Sequence, residues 1–445
     1  MISIAISNIY NYIINISWCV FCGVTFLKNP RLLKQDKTIY HYYAGYSDEF
    51  VEDIINSYLD LSSKEIVLDL WNGSGTTTKI AYKNNIRAYG FDINPVMKYI
   101  AKAKLVTVED EKQLRLIMRI VLEQFDSRVH VKLRNGDLLS IWLNDRSIRI
   151  IRYLESIIND ICSRYSVSRY IFSFFMVLQF RLLKSLLVPF KTSNPTWIKY
   201  KIKEVEKINI KKNDVHNRLV IIFDEMIDAL INSNEINGCR RHPIILTASS
   251  YQLPLKNNSI DAVITSPPYC TRIDYTVATL PELAFLGFSK ENIYSLRSAM
   301  IGSATVSNNA STIVHIPSLT ALDILSKVKC HDSKASNSYY YKYYNKYFVQ
   351  LYLSLKELTR VIKPKGRCCI VIQNSFYKDL LIPLNIIVEE LMLKLGFTTL
   401  KSNAFKKKST HTNANPTSRK YRKQSVAQYE YALIFIKGES DDGSR

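Results

Sequence analysis

Two groups of residues in this chain have the types and spacing to do chemistry. The first is Ser266-Pro267-Pro268-Tyr269, which closes the apolar run Asp261-Ala262-Val263-Ile264-Thr265. An apolar run that stops at a proline pair reads as a buried strand opening into a stiff loop. Pro267 also holds Ser266 extended, so a hydroxyl, rigid backbone carbonyls and an aromatic face are presented together. That set suits a planar amine, with acceptors for its N–H groups and a ring to stack on. Taken alone, the tetrapeptide also reads as a proline-terminated strand with a surface tyrosine. The second group lies far upstream. The run Ile66-Val67-Leu68-Asp69-Leu70 is followed by Trp71-Asn72-Gly73-Ser74-Gly75-Thr76-Thr77-Thr78, and then by Tyr89-Gly90-Phe91-Asp92-Ile93-Asn94-Pro95. Strand, glycine turn and helix start describe the first unit of a doubly wound sheet, where backbone approaches a ligand closely. An acid at the end of the second strand is placed to accept the ribose hydroxyls of a nucleoside cofactor.

Thr265-Ser266-Pro267-Pro268-Tyr269 resembles the catalytic motif of S-adenosylmethionine-dependent amino-methyltransferases of nucleic-acid bases, and its serine form resembles the cytosine-N4 DNA enzymes. The Asp69–Thr77 string resembles their cofactor loop, with Asn72 where a more apolar or aromatic residue is usual. The resemblance implies a Rossmann-like methyltransferase sheet with S-adenosylmethionine bound by Asp69, Asn72, Gly73, Ser74, Gly75, Thr76 and Asp92. The segment from Tyr40 to Phe50 resembles, more loosely, the element lining the methionine end, which adds Tyr43. In relatives an acid precedes the Leu-Pro of the third-strand loop and contacts the adenine. Here Ser249 stands nearest that position, and a hydroxyl bonds an amine more weakly. Ser266, Pro267, Pro268 and Tyr269 are then the catalytic residues. Ser266 and the Pro267 carbonyl orient the amine, while Tyr269 stacks on the base. Cytosine N4 is the expected target. Adenine N6, an RNA base, and a fold that binds DNA without turnover are the alternatives.

Composition agrees with a polyanionic partner. The chain has 445 residues, a net charge of +21 and 47% hydrophobic residues, so it is globular and strongly basic. Double-stranded DNA is the expected partner, with a cognate restriction endonuclease as a second. The clearest basic run, Lys401 to Lys423, supplies Lys406, Lys407, Lys408, Arg419 and Arg422 as backbone contacts. Arg272, after the catalytic loop, contacts base or backbone or else pairs with Asp274. The eight cysteines lack the paired spacing of a metal site, so no metal is expected, and reduced thiols suit a cytoplasmic protein. The apolar stretch Tyr10–Leu27 is interrupted by Asn11 and Asn15 and is short for a membrane span. It reads as an N-terminal extension.

These groups need a scaffold. Strand character recurs at Ile66–Leu70, Ala88–Asp92, Pro243–Thr247, Asp261–Thr265 and Arg367–Gln373, with Gly396–Leu400 and Tyr429–Lys437 as a closing antiparallel pair. Helical spacing marks Lys112–Phe125, Ser147–Cys162, Tyr170–Leu187 and His216–Leu230. The expected plan is an extension (1–39), a cofactor part (40–105), a helical insertion carrying target recognition (106–240), a catalytic part (241–437) and a tail (438–445). Within the insertion, Thr192-Ser193-Asn194-Pro195-Thr196-Trp197 is either a base-contacting turn or a structural turn with a core tryptophan. The tyrosine-rich stretch Tyr339–Tyr347 reads as a helix packing its rings, with base stacking as the other use.

Overall fold

The computed structural model describes residues 27–30, 38–40, 45–59, 61, 64–125, 131, 134–192, 197–200, 202–232, 241–270, 274–305, 315–406 and 428–439. Among the described residues nine strands form in chain order: β1 (Ile66–Asp69), β2 (Arg87–Asp92), β3 (Ile244–Thr247), β4 (Ile260–Thr265), β5 (Ile362–Gln373), β6 (Ser375–Tyr377), β7 (Leu380–Ile382), β8 (Phe397–Lys406) and β9 (Tyr429–Lys437). Seven of them make one sheet in the order β3-β2-β1-β4-β5-β9-β8. The first five are parallel, and β9 runs antiparallel to both β5 and β8. This is a doubly wound α/β sheet of the Rossmann-like methyltransferase type. Strand order reverses between β1 and β4, and open α/β sheets bind ligands beyond the carboxyl ends of their strands at such a point. The first chemical group ends β4 and the second begins where β1 ends.

The parallel strands are apolar because helices cover both faces. Val67, Ala262, Ile264, Cys369 and Val371 pack under the Asp48–Ile54 and Thr76–Lys83 helices. Leu68, Val263, Cys368 and Ile370 pack under the Tyr341–Val361 and Leu384–Lys394 helices on the other face. Ser47 caps the first of these helices, accepting from the Phe50 N–H at 3.2 Å. Tyr343, Tyr344 and Tyr347 are buried, so these rings of the tyrosine-rich stretch belong to the core, while Tyr339, Tyr340 and Tyr341 are partly exposed.

Boundaries differ from the sequence reading where side chains cap or backbone bends. Asn144 and Ser168 accept from the N–H groups of Ser147 and Ile171, so the insertion's middle helices start earlier, at Asp145 and Arg169. Strand β5 begins at Ile362 rather than Arg367, carrying Pro364 and Gly366 inside it. The β4–β5 register shifts there and Lys365 adopts φ 61°, so a bulge accommodates the proline that a regular ladder would reject.

Between β2 and β3 the helices Glu111–Phe125, Asp145–Arg164, Arg169–Leu186 and Lys212–Asn232 share one hydrophobic core. That core continues into Val96, Met97 and Ile100 of the helix after β2, and into Leu283, Ala284 and Phe285 beyond β4. Buried Arg152 pins the junction. Its guanidinium bonds Asp137 at 2.7 and 3.0 Å, Glu155 at 2.8 Å, and the carbonyls of Ala284 and Phe285 at 3.1 and 2.7 Å. Among the described residues no helix is long and apolar enough to cross a membrane.

Candidate active site

The glycine loop is built to bring backbone close. Gly73 and Gly75 have φ of 47° and 84°, which side-chain-bearing residues rarely adopt. A methyl on Gly75 would lie 2.6 Å from the Ala101 Cβ, so this glycine also lets the Thr76–Lys83 helix meet the Pro95–Ala103 helix. The loop then grips the second strand. Asn72 donates its N–H to the Phe91 carbonyl at 2.9 Å, and Gly73 donates to Asp92 Oδ2 at 3.0 Å. Asp92 Oδ1 accepts from the Asn94 N–H at 2.8 Å. Burial pushes the Asp92 carboxyl up to about 6, against the pull of those two N–H groups.

A cleft opens beside it. Its walls include Trp71, Gly73, Asp92, Asn94, Ser249 and Tyr251 together with Ser266, Pro267, Pro268, Tyr269 and Tyr275. Ala299, Met300 and Ile301 also line it. The two groups found in sequence therefore share one cavity. Two of its polar atoms, Trp71 Nε1 and Ser249 Oγ, are buried with no hydrogen-bond partner among the described residues. Buried polar groups left without partners are costly. An acid, a hydroxyl and an indole N–H around one cleft match the hydroxyls, amine and ring nitrogens of an adenosine. Ser249 is held in place because Ala248 donates its N–H to the Asp92 carbonyl at 3.1 Å, and Ser250 bonds Ser354 at 2.8 Å.

The Ser266–Tyr269 loop is braced by its neighbours. Tyr347 donates its hydroxyl to the Pro268 carbonyl at 2.8 Å, so that acceptor is already occupied. Among the described residues no donor meets Ser266 Oγ or the Pro267 carbonyl. Tyr269 lines the cleft, and its hydroxyl bonds Glu430 on β9.

Other expected site residues are placed differently. Asp69 is not in the lining; it sits beneath the cleft with both oxygens engaged. Oδ2 accepts from Tyr46 and Thr77 at 2.9 and 2.7 Å, and Oδ1 from Thr265 and the Trp71 N–H at 2.6 and 3.1 Å. Asn72 accepts from Thr78 at 3.1 Å and fills the space left by Gly90. Ser74 accepts from the Lys104 ammonium at 3.0 Å, whose pKa burial and neighbouring Lys79 bring down to about 8. These residues, with Gly75 and Thr76, frame the site from outside its lining. Asp274 pairs with Arg297 at 2.5 Å, and Arg272 lies outside the described residues. Tyr43, Lys407, Lys408, Arg419 and Arg422 also lie outside them, while Lys406 ends β8, exposed. Lys401, where the basic run begins, is packed on Tyr58, bonding its hydroxyl at 2.9 Å. The sequence reading missed Trp71, Tyr275, Tyr347 and the Ala299–Ile301 wall. Only Trp71 carried a signal, as part of the glycine loop; Tyr275 and the Ala299–Ile301 wall reach the cleft, and Tyr347 reaches the Pro268 carbonyl, by tertiary packing.

A doubly wound sheet whose switch point brings the glycine loop, Asp92 and the Ser266–Tyr269 loop to one cleft has the layout of a base-modifying methyltransferase. The chain belongs to the DNA methylase family, of the N6 and N4 amino type, whose model matches residues 17–103 and 260–442. As a member of it, the protein acts on DNA and takes its methyl group from S-adenosylmethionine. The unmatched span between those blocks contains the helical insertion. The chain is similar to the type II methyltransferase M.BsoBI of Geobacillus stearothermophilus, 24% identical over 84% of this chain and 80% of that protein. It is also similar to the type II methyltransferase M.MvaI of Kocuria varians, 22% identical over 90% of this chain and 91% of that protein.

Proposed function

We propose that this protein methylates the exocyclic N4 of cytosine in double-stranded DNA, as the modification partner of a cytoplasmic restriction endonuclease. The type II relatives support the restriction–modification setting. The observation that carries the reading is that Ser266-Pro267-Pro268-Tyr269 lines the same cleft as Asp92 and Ser249. S-adenosylmethionine supplies an electrophilic methyl on its sulfonium. Asp92 accepts the ribose hydroxyls, Gly73 lets the backbone approach, and the Ser249 hydroxyl meets the adenine amine.

The amine of cytosine is a poor nucleophile because its lone pair is delocalised into the ring. Ser266 Oγ and the Pro267 carbonyl accept its N–H groups and favour a tetrahedral nitrogen with the lone pair aimed at the methyl. Tyr269 stacks on the base. Most of the acceleration then comes from orientation. A stacked base cannot enter such a slot, so the target nucleotide flips out of the duplex.

Duplex contacts are assigned to Lys406, Lys407, Lys408, Arg419, Arg422 and Arg272, which position the enzyme on phosphates. The insertion reads the target sequence. Residues 193–196 lie outside the described residues; next to them, Trp142 donates its indole N–H to the Lys199 carbonyl at 2.6 Å, and Trp197, 39% exposed, and Tyr200 are open to solvent. Exposed rings among lysines suit nucleic acid. The test is to express the chain in a host free of DNA modification and sequence its DNA with detection of modified bases. N4-methylcytosine at a recurring site is the expected result. N6-methyladenine there would transfer the reading to the other amine, and DNA left unmodified by an enzyme that binds cofactor would overturn it.

A further inference from the structure

We propose that Glu430 is a positioning residue for methyl transfer, setting the orientation of the Tyr269 ring against the target base. The inference rests on the assignment of Tyr269 to that base. Glu430 lies on β9 opposite Gln373 of β5 and is 1% exposed. It is followed on β9 by Ala432, Leu433, Ile434 and Phe435, all buried and apolar. A carboxyl group in such a place is costly unless it is bonded. Tyr269 donates its hydroxyl to Glu430 Oε1 across 161 positions of sequence.

The backbone around the ring is already fixed by other means. Tyr347 holds the Pro268 carbonyl at 2.8 Å, and the Tyr269 N–H meets the Tyr275 hydroxyl at 3.4 Å. Gly302, with φ 74°, packs against the Tyr269 carbonyl, where a methyl would come within 3.1 Å. The side-chain torsions of Tyr269 are what remain, and a bond at the far end of the ring is the most effective lever on them. Tyr269 lines the cleft while its hydroxyl is tethered to β9, the antiparallel strand beside β5. Stacking needs the ring plane held parallel to the base, and misplacement of about 1 Å can cost on the order of a hundredfold in rate.

The experiment compares Glu430→Gln, Glu430→Ala, Tyr269→Phe and Tyr269→Ala in the full chain. Methyl transfer from radiolabelled S-adenosylmethionine to unmethylated plasmid DNA is measured, with cofactor affinity by calorimetry. Glu430→Ala and Tyr269→Phe should each lower kcat about ten- to a hundredfold and leave cofactor affinity unchanged. A protein carrying both Glu430→Ala and Tyr269→Phe should be no worse than either alone, and Glu430→Gln, which still accepts, should recover most of the rate. Tyr269→Phe keeps the ring and the buried acid, so it reports even where Glu430→Ala fails to fold. Full kcat in Tyr269→Phe, with Tyr269→Ala inactive, would overturn the positioning role while leaving the stacking role intact. Full activity in Tyr269→Ala would overturn both.

Discussion

Thr265 donates its hydroxyl to Asp69 Oδ1 at 2.6 Å, tying the last residue of β4 to the last residue of β1. The bond crosses the point where strand order reverses. It joins the residue immediately before the catalytic tetrapeptide to the strand that feeds the glycine loop. Asp69 is buried, and burial raises its pKa against the pull of Thr265, Thr77, Tyr46 and the Trp71 N–H. The two halves of the chemistry are thus held in register by one carboxyl group.

Thr265→Val keeps the shape and removes that donor. The expected loss is about 1–3 kcal/mol of stability, the range for a buried acceptor losing a partner. Urea unfolding measures it, and Thr265→Ser should restore most of the loss. Equal midpoints for the valine and serine variants would remove Asp69 as the link.

Asp92 makes a pH prediction. Its folded pKa of about 6 lies above the ordinary carboxylate value of 3.8. The native state therefore holds its proton more tightly than the unfolded chain, so without cofactor this group's contribution to stability falls as pH rises from about 4 to about 6. Cofactor affinity moves the other way, because ribose hydroxyls donate to the ionised form. Affinity should rise up to about tenfold per pH unit below 6 and level off above it. Asp92→Ala should cost about 1.5–3 kcal/mol of binding at pH 8 and lose this dependence. A calorimetric pH series on both proteins provides the check.

Arg152 makes the insertion part of the catalytic half. Its charge is buried with Asp137 and Glu155, and it holds the carbonyls that end the Leu280–Phe285 helix. Arg152→Ala should destabilise the protein by about 3–5 kcal/mol, the range for breaking a buried pair. Lysine should not rescue it, since one ammonium cannot reproduce the planar fork. Thermal unfolding in one transition, shifted as a whole, would show that the insertion and the sheet unfold together.

Strands, insertion helices and both chemical motifs were legible because their signals are local. An apolar run of β1 or β4 and a glycine turn are contiguous in sequence. Roles that depend on direction were not legible. Asp69 looks like a cofactor ligand in sequence, since it begins the glycine loop, yet its oxygens face Thr265, Thr77 and Tyr46. Tyr347 sits in a tyrosine-rich helix with nothing local to mark it, and it reaches the Pro268 carbonyl only after the Tyr341–Val361 helix docks on the sheet. Lys401 reads as one charge in a basic run, but its position on β8 lays it over Tyr58.

DNA affinity should fall steeply with salt, given the net charge of +21. Neutralising Lys406, Lys407 and Lys408 together should flatten the slope of log affinity against log salt by up to about 0.9 for each lost phosphate contact. Neutralising Lys401, which is packed on Tyr58, should change the slope less and stability more. Fluorescence anisotropy across a salt series separates the two, and equal slopes for wild type and the triple variant would mean that this run is only solvated.

Ser266 and Tyr269 should fail in different ways. Ser266→Ala removes one of the two acceptors left open for the amine and keeps the Pro267 carbonyl, so turnover should fall by about ten- to a thousandfold without vanishing. Tyr269→Ala removes the stacking wall, and turnover should be lost almost entirely. Stacking on an aromatic ring contributes about 1–3 kcal/mol per base, so the alanine variant should also bind DNA containing an unpaired target base less tightly. Neither side chain is assigned to the cofactor, so calorimetric affinity for S-adenosylmethionine should be unchanged in both. A Tyr269→Ala protein that loses cofactor affinity along with turnover would place the ring against the methyl donor instead of the base.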